Sequence, residues 1–504
     1  MSPGGPMTVA VVPAPSTIRD VGTAPFRLAG AGIVGDADAA SALRTLLSAL
    51  TGSSPGGDER TIDLQIEHGG APESYTLVAD ETSVVVTGAD AAGLFYGVHT
   101  LAQLARESTD GWVIDAVEVE DAPRFRYRGV MLDVARHFHP VATVEAFIDR
   151  AAMLKFNHLH LHLTDDQGWR VHLDARPELT RQGSGTSVGG DPGGFYTKDD
   201  YRHLVAYAAA RHVTVVPEID MPGHTHAVGL AYPELVEAPV LSEHILETVA
   251  EFGGDAPAAG VAYDGMAVGF SSLRIGDERA YDFVADVFGE LASMTPGPYL
   301  HVGGDEALGT DPADFAAFVA RATEIIADLG KTPIAWHEAG AAPDLAPGTV
   351  GQYWGFVTPT DGMDDAARAF VRNGAPLILS PADAVYLDMK QTADSPLGLT
   401  WARGITDARR AYTWEPTAVI DGIGEDDILG VEAPLWTETV RSLADIDELA
   451  FPRIAAAAEA AWSPPVGTSA LRTWESFRER VGRQAPLWRA QGIGFHRSED
   501  IPWR

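Results

Sequence analysis

The chain contains no cysteine. That excludes disulfides, thiol nucleophiles, cysteine-held zinc and iron–sulfur clusters. Basic residues are scarce: 36 Lys and Arg stand against 71 Asp and Glu, a formal net charge of −35. So acidic a chain repels phosphate backbones and anionic bilayers, which argues against nucleic-acid or membrane-surface partners. The excess reads first as a solvated surface that keeps the chain soluble, and second as an acidic groove for neutral or cationic ligands. No apolar run reaches the length of a membrane span. The opening, Met1 to Thr17, has no basic head ahead of an apolar run. No secretory signal is read there, and the expected location is cytoplasmic. Also missing are a Gly-x-Gly-x-x-Gly fingerprint with a suitable acidic partner, a P-loop and a Gly-x-Ser-x-Gly elbow, so nucleotide cofactors and serine hydrolysis lack their markers.

What is present is an ordinary globular composition, 45% hydrophobic and 21% charged over 504 residues. No internal repeat or long low-complexity block interrupts it. Residues 1–122 read as a small α/β domain. Leu43–Leu50 and Ala91–Arg106 have helical apolar spacing, Asp63–His68 alternates as a half-buried strand does, and Tyr75–Val78 with Ser83–Val86 forms a strand pair about a turn. Asp121-Ala122-Pro123 is the expected linker. Residues 123–504 then alternate short apolar runs with helical stretches. The runs are Gly129–Val134, Leu159–Leu163, Val213–Ile219, Tyr299–Val302, Pro333–Trp336, Val350–Trp354, Pro376–Leu379 and Ile428–Val431. Eight such runs predict a (β/α)8 TIM barrel, with a helical segment at its C-terminal end. The fold class is therefore α/β. Polar and aromatic residues sit at or just after the ends of the runs: Arg136, Asp165, Asp220, Asp305, Glu306, Trp336, Trp354, Tyr386 and Trp436. In a barrel these positions build the active-site face.

Tyr299-Leu-His-Val-Gly-Gly-Asp-Glu306 is the strongest local feature. Two glycines let the backbone bend before two adjacent carboxylates. Charges so close disfavour double ionisation, so one pKa should rise, and a raised carboxyl is a general acid near neutrality. The competing reading is a helix N-cap; the place of the pair after a barrel strand speaks against it. In Val216-Pro-Glu-Ile-Asp-Met-Pro-Gly-His-Thr-His226, two prolines and a glycine stiffen a loop from which Glu218, Asp220 and His224 project. His158, His160 and His162 alternate along one run, and 10 of the 16 histidines fall between positions 137 and 226. That crowding raises the question of a metal, but no ligand set of matched spacing accompanies it, so the histidines read as barrel-interior groups satisfied by neighbours. No metal and no cofactor is expected. Trp336, Trp354, Trp401 and Trp436 lie near one face, where indole surfaces could stack on the C–H faces of a sugar. Tyr386 with Asp388 and Trp436 with Glu438 pair an aromatic wall with an acceptor for sugar hydroxyls.

These motifs resemble glycoside hydrolase family twenty, the β-N-acetylhexosaminidases, and most closely its actinomycete-type members. The resemblance is carried by Arg128-Gly-Val-Met-Leu-Asp-Val-Ala-Arg-His-Phe138, His160-Leu-His-Leu-Thr-Asp-Asp-Gln-Gly-Trp-Arg170, Pro217-Glu-Ile-Asp-Met-Pro-Gly-His224, His301-Val-Gly-Gly-Asp-Glu306, Tyr386-Leu-Asp388, Leu435-Trp-Thr-Glu438 and Phe451-Pro-Arg-Ile to Ala461-Trp-Ser463. Glu73-Ser-Tyr and the Gly93–Leu104 stretch resemble the family's small domain, so nearly the whole chain is covered. The resemblance implies removal of terminal β-linked GlcNAc and GalNAc from small oligosaccharides, with the substrate's own acetamido oxygen attacking the anomeric carbon. It implies Glu306 as acid and base, Asp305 as the group that orients the acetamido, and Tyr386 as donor to the acetamido oxygen. Trp336, Trp354 and Trp436 would enclose the sugar, and Arg136, Asp388 and Glu438 would bind its outer hydroxyls. Asp165 and His224 would support Glu306, and Asp220 would support Asp305. One departure is His337, which stands directly after Trp336 where many relatives carry an acid. Two rivals remain: a retaining glycosidase with its own carboxylate nucleophile, and a sugar-binding barrel without activity. The resemblance leaves the oligomeric state open.

Overall fold

The computed structural model describes residues 10–504; the first nine residues of the Met1–Thr17 opening lie outside it. The first domain is built on a six-stranded mixed sheet. Its spatial order is Thr17–Asp20, Val117–Asp121, Tyr75–Ala79, Ser83–Gly88, Arg60–Ile66 and Ala31–Gly35. Helices Ala37–Thr51 and Ala91–Leu104 pack on the sheet and on each other. Their starts follow from local chemistry. Asp36 and Asp90 each accept an amide of the first turn, from Ala39 and Gly93. Leu43 and Leu47, four apart, are buried against the sheet. The second helix stops at Leu104, short of the expected Arg106. Ala105 turns to extended backbone because Ala105–Ser108 pairs with Gly111–Ile114 in a small second sheet.

The second domain is a closed parallel barrel. Its strands, in order around the ring, are Tyr127–Asp133, His158–His162, Thr214–Glu218, Tyr299–His301, Thr332–Trp336, Val350–Tyr353, Leu377–Leu379 and Ile428–Leu435. Tyr127 pairs with Gly430 to close it. All eight runs expected from the sequence are strands. The interior is unusually polar for this architecture: His160, His301, Glu218, Glu432 and Gln352 are buried there. Helices Trp474–Gly482 and Ala485–Ala490 follow the barrel, the latter against helix Ala37–Thr51 of the first domain. Arg472 and Arg480 both reach Glu459, on helix Arg453–Trp462, and the Ala14 amide donates to the same carboxylate at 3.0 Å.

The domains meet beneath the barrel through a second knot of buried charge. Glu73 and Asp121 come from the first domain; Arg128, Lys155 and Trp462 come from the second. Arg128 forms a fork to Glu73, with both nitrogens 2.9 Å from its oxygens. Lys155 Nζ donates to Asp121 at 2.8 Å and to Tyr75 at 2.9 Å. The Trp462 indole N–H donates to Asp121 at 3.0 Å, and its ring lies against both cations. Every charge in the seam has a partner, so burial carries no unpaired ion. No helix among the described residues is long and apolar enough to cross a membrane.

Candidate active site

The loops that leave the C-terminal ends of the strands converge on one mouth. Asp133, last residue of the first strand, accepts the amides of Ala135 and Arg136 with one oxygen. With the other it accepts Thr437 N and Oγ1, both at 3.0 Å. It thus ties the first loop to the eighth and aims Arg136 into the mouth. Arg136 Nη1 lies 2.9 Å from Asp165, and the guanidinium sits 4.7 Å from the Trp436 ring centroid. Asp165 also receives His162 Nε2 at 2.8 Å and His224 Nδ1 at 3.1 Å. Burial would raise the Asp165 pKa, but Arg136 and the two histidines outweigh it and hold the carboxylate well below its ordinary range.

His224 then faces the paired acids. Its Nε2 stands 3.6 Å from Glu306 Oε2 and 3.9 Å from Asp305 Oδ2. Burial works against its charge, yet Asp165 and Asp220 hold its pKa well above the ordinary histidine value. The segment that carries Asp305 and Glu306 is irregular; the next helix, Pro312–Asp328, has Asp311 as its own cap. The N-cap reading is thereby set aside. Gly303, Gly304 and Glu306 all have positive φ, at 72°, 93° and 45°. A Cβ on Gly303 would stand 1.8 Å from Asp220 Oδ1. Only glycine lets Asp220 reach the Gly304 amide, which it accepts at 2.9 Å. Burial first, then the neighbouring Asp305 charge, raises the Asp220 carboxyl well above its range. Within the adjacent pair, burial raises Asp305, with the Glu306 charge adding to it.

An aromatic enclosure stands opposite. Trp336 is fully buried and donates its N–H to Glu218 at 2.8 Å. Its ring centroid is 6.1 Å from that of Trp436, and Tyr386 is 6.3 Å from Trp436. Trp354 and Trp401 meet edge-on at 6.0 Å, and Trp401, 46% exposed, forms the rim. Beyond the ring lie Asp388 and Glu438. Both oxygens of Asp388, Oε2 of Glu438, Oδ1 of Asp305 and Nε of Arg136 are buried without a hydrogen-bond partner. Burial and the nearby Glu438 push Asp388 well above the carboxylate range; burial raises Glu438 to about 7, although Arg136 opposes it. Unpaired acceptors and a donor at one mouth are what a ligand rich in hydroxyls would satisfy. A separate cleft of about 1070 Å³ lies at the domain seam, beside Leu46, Phe95 and Met153.

The structure thus brings all thirteen expected site residues to this mouth or directly behind it. Glu218 is the exception to its expected placement. It ends the third strand and turns into the barrel instead of projecting from the loop. The acid next to Trp336 is displaced by one: Glu338 accepts the Trp354 N–H at 3.0 Å, while burial drives the His337 pKa down to about 3. Asp133, Glu338 and Glu432 were not singled out from the sequence; a lone acid at the end of an apolar run was the available signal. Four groupings of His and carboxylate have donor atoms close enough for a cation, among them His160, Glu218 and His301, and His224, Asp305 and Glu306. Members of these groupings also contact one another directly.

Residues 8–122 match glycosyl hydrolase family 20, domain 2, and residues 125–312 and 311–465 match glycosyl hydrolase family 20, catalytic domain. The chain belongs to glycosyl hydrolase family 20. It is 40% identical to a β-N-acetylhexosaminidase of Cellulomonas fimi, over 98% of this chain and 97% of that one. A solved glycoside hydrolase family 20 β-N-acetylglucosaminidase superposes with a TM-score of 0.93 at 65% identity, covering 98% of this chain and 100% of that one. A mutant Streptomyces plicatus β-hexosaminidase in complex with its product GlcNAc gives 0.86 at 42% identity, over 99% and 98%. The family 20 chain is thus a glycoside hydrolase of the β-N-acetylhexosaminidase type.

Proposed function

We propose that the enzyme removes non-reducing terminal β-GlcNAc, and β-GalNAc, from small oligosaccharides with retention, the substrate's acetamido oxygen serving as nucleophile. The observation that carries this reading is the adjacency of Asp305 and Glu306 on the sharply bent segment that follows the fourth barrel strand, with different neighbours behind each. Consecutive side chains on such a turn cannot flank a sugar ring from opposite faces. They can address the leaving oxygen and the acetamido nitrogen on neighbouring sides. Glu306, at the open end of the Asp165–His224 line, protonates the leaving oxygen and later takes a proton from water. Asp305, beside Asp220, accepts the acetamido N–H and balances the developing charge. Tyr386 donates to the acetamido oxygen. Trp336, Trp354 and Trp436 surround the methyl group and ring, with Trp401 at the rim. Arg136, Asp388 and Glu438 take the outer hydroxyls, and this set decides tolerance of the galacto epimer.

Glu306→Gln should lower kcat by about 10²- to 10⁴-fold. Near-normal activity on natural and activated glycosides would sink the acid assignment. A matched β-glucoside without the acetamido group should be cleaved far more slowly than the N-acetyl sugar. Comparable rates would favour an enzyme carboxylate as nucleophile, and the absence of turnover on any chromogenic GlcNAc substrate would favour a binding barrel.

A further inference from the structure

A line of buried acids and histidines runs from the middle of the barrel to the Asp165–His224 pair, and the proposed reaction leaves most of it without a task. It begins at Glu432 on the eighth strand. Its Oε1 accepts from Gln352 at 2.6 Å and lies 2.9 Å from His160 Nδ1, and its Oε2 accepts from the Tyr127 hydroxyl at 2.5 Å. His160 Nε2 is 3.0 Å from Glu218 Oε2, an ion-pair contact without hydrogen-bond alignment, and the same oxygen makes a 2.5 Å hydrogen bond with His162 Nδ1. His162 Nε2 then meets Asp165 at 2.8 Å, and Asp165 meets His224, whose far nitrogen faces Glu306. Every member from Glu432 to Asp165 is fully buried. The second oxygen of Glu218 accepts the Trp336 indole N–H at 2.8 Å and stands 3.3 Å from His301 Nδ1. His301 accepts the Gly303 amide at 2.9 Å, where the segment carrying Asp305 and Glu306 begins.

One carboxylate therefore touches both halves of the mouth. An imidazole held between two carboxylates satisfies both only when both of its nitrogens carry protons. Along the line the charges then alternate: Glu432, His160, Glu218, His162, Asp165, His224. An alternating row tolerates burial, whereas loss of one anion leaves two cations side by side. His162 is faced by Glu218, Asp165, the Arg136 guanidinium and the edge of the Trp436 ring. Glu218 is faced by His160, His162, His301 and Trp336, and the Asp220 and Asp305 charges also act on it or feel it.

We propose that Glu218 is a positioning residue: it keeps His162 protonated, so that Asp165 and His224 hold a fixed proton behind Glu306, while it orients the Trp336 ring. The role rests on the reading of Glu306 as the acid. Burial and Arg136 oppose the charge on His162, but Glu218 and Asp165 outweigh them and raise its pKa to about 9; His160, between Glu432 and Glu218, rises to about 10.

Glu218→Gln keeps the shape and the acceptor for Trp336 but removes the charge. His162 then loses one of its two anions, and its pKa falls toward the ordinary value of about 6.5. The expected result is a KM for a GlcNAc glycoside within about threefold of the parent, with kcat down about tenfold or more at pH 8 and less at pH 5. The alkaline limb of kcat should move down by about one pH unit or more. Trp336→Phe, which spares the charge, should raise KM and leave that limb in place. A Glu218→Gln profile parallel to the parent at every pH would make Glu218 merely structural and overturn the proposal. Should that variant fail to fold, ¹⁵N NMR of histidine-labelled parent enzyme at pH 8 decides the matter. Imidazolium signals from His160 and His162 support the proposal, and neutral tautomers sink it. That measurement is independent of the acid assignment, which Glu306→Gln tests alone.

Discussion

Two clusters of buried charge lie at opposite ends of the same barrel, and they are finished differently. At the seam below, Lys155, Arg128, Glu73 and Asp121 are paired throughout. At the mouth above, Asp388 has two oxygens without a donor, and Glu438, Asp305 and Arg136 each have one polar atom in the same condition. A closed cluster has nothing left to bind and serves the fold. An open one is held at a cost by the rest of the structure until a ligand completes it.

The comparison can be broken by experiment. Its largest effect should come from Lys155→Met, which leaves Asp121 buried and uncompensated. Unfolding in denaturant should show a loss of about 3–5 kcal/mol, while kcat stays within about twofold. A large fall in kcat without a fall in stability would mean that the seam is not purely structural. Asp388→Asn should do the reverse. It should lower kcat/KM by about 3- to 10-fold by replacing one of two hydroxyl-accepting oxygens with an amide donor, with Tm unchanged or higher. A clear drop in Tm would show that Asp388 has an internal partner.

The clusters should also answer pH with opposite signs. The Glu438 pKa is raised to about 7, so its contribution to stability is full below the ordinary carboxylate range and is lost as pH rises through neutrality. Glu73 is the other case. Burial would raise it, but the Arg128 fork outweighs burial and lowers it, so its contribution is present at neutral pH and lost on acidification. Glu438→Gln should flatten the Tm profile between pH 5 and pH 8, and Glu73→Gln should flatten its acid side. Identical profiles for both variants would contradict the distinction. The smallest effect belongs to Trp401→Ala at the half-exposed rim: KM about two- to fivefold higher with kcat nearly constant.

Much of this was legible beforehand because the barrel repeats one device. Each apolar run ends in a residue with chemistry, and eight runs in order define a ring. The thirteen expected side chains follow from that ring and from motifs such as Gly303-Gly-Asp-Glu306. The edges of the first domain were harder to read. Thr17–Asp20 and Phe26–Arg27 are too short to alternate visibly, and Ala31–Gly35 has too many small residues for a strand pattern. The barrel interior was hidden for another reason. Glu218 and Glu432 sit among apolar neighbours in their strands, and what makes an acid tolerable there is a histidine about 60 or more positions away in the chain. Spacing along one strand cannot reveal a partner on another.

Trp462 belongs by sequence to the last barrel helix, yet it is counted in the hydrophobic core of the first domain. With Glu73 and Asp121 it makes the small sheet the counter-ion of the barrel. A gene shortened by its first 122 codons would encode a ring with two orphaned cations and a bare indole on its underside. The first domain therefore completes the underside of the barrel, even though every residue proposed to touch the sugar lies in the second.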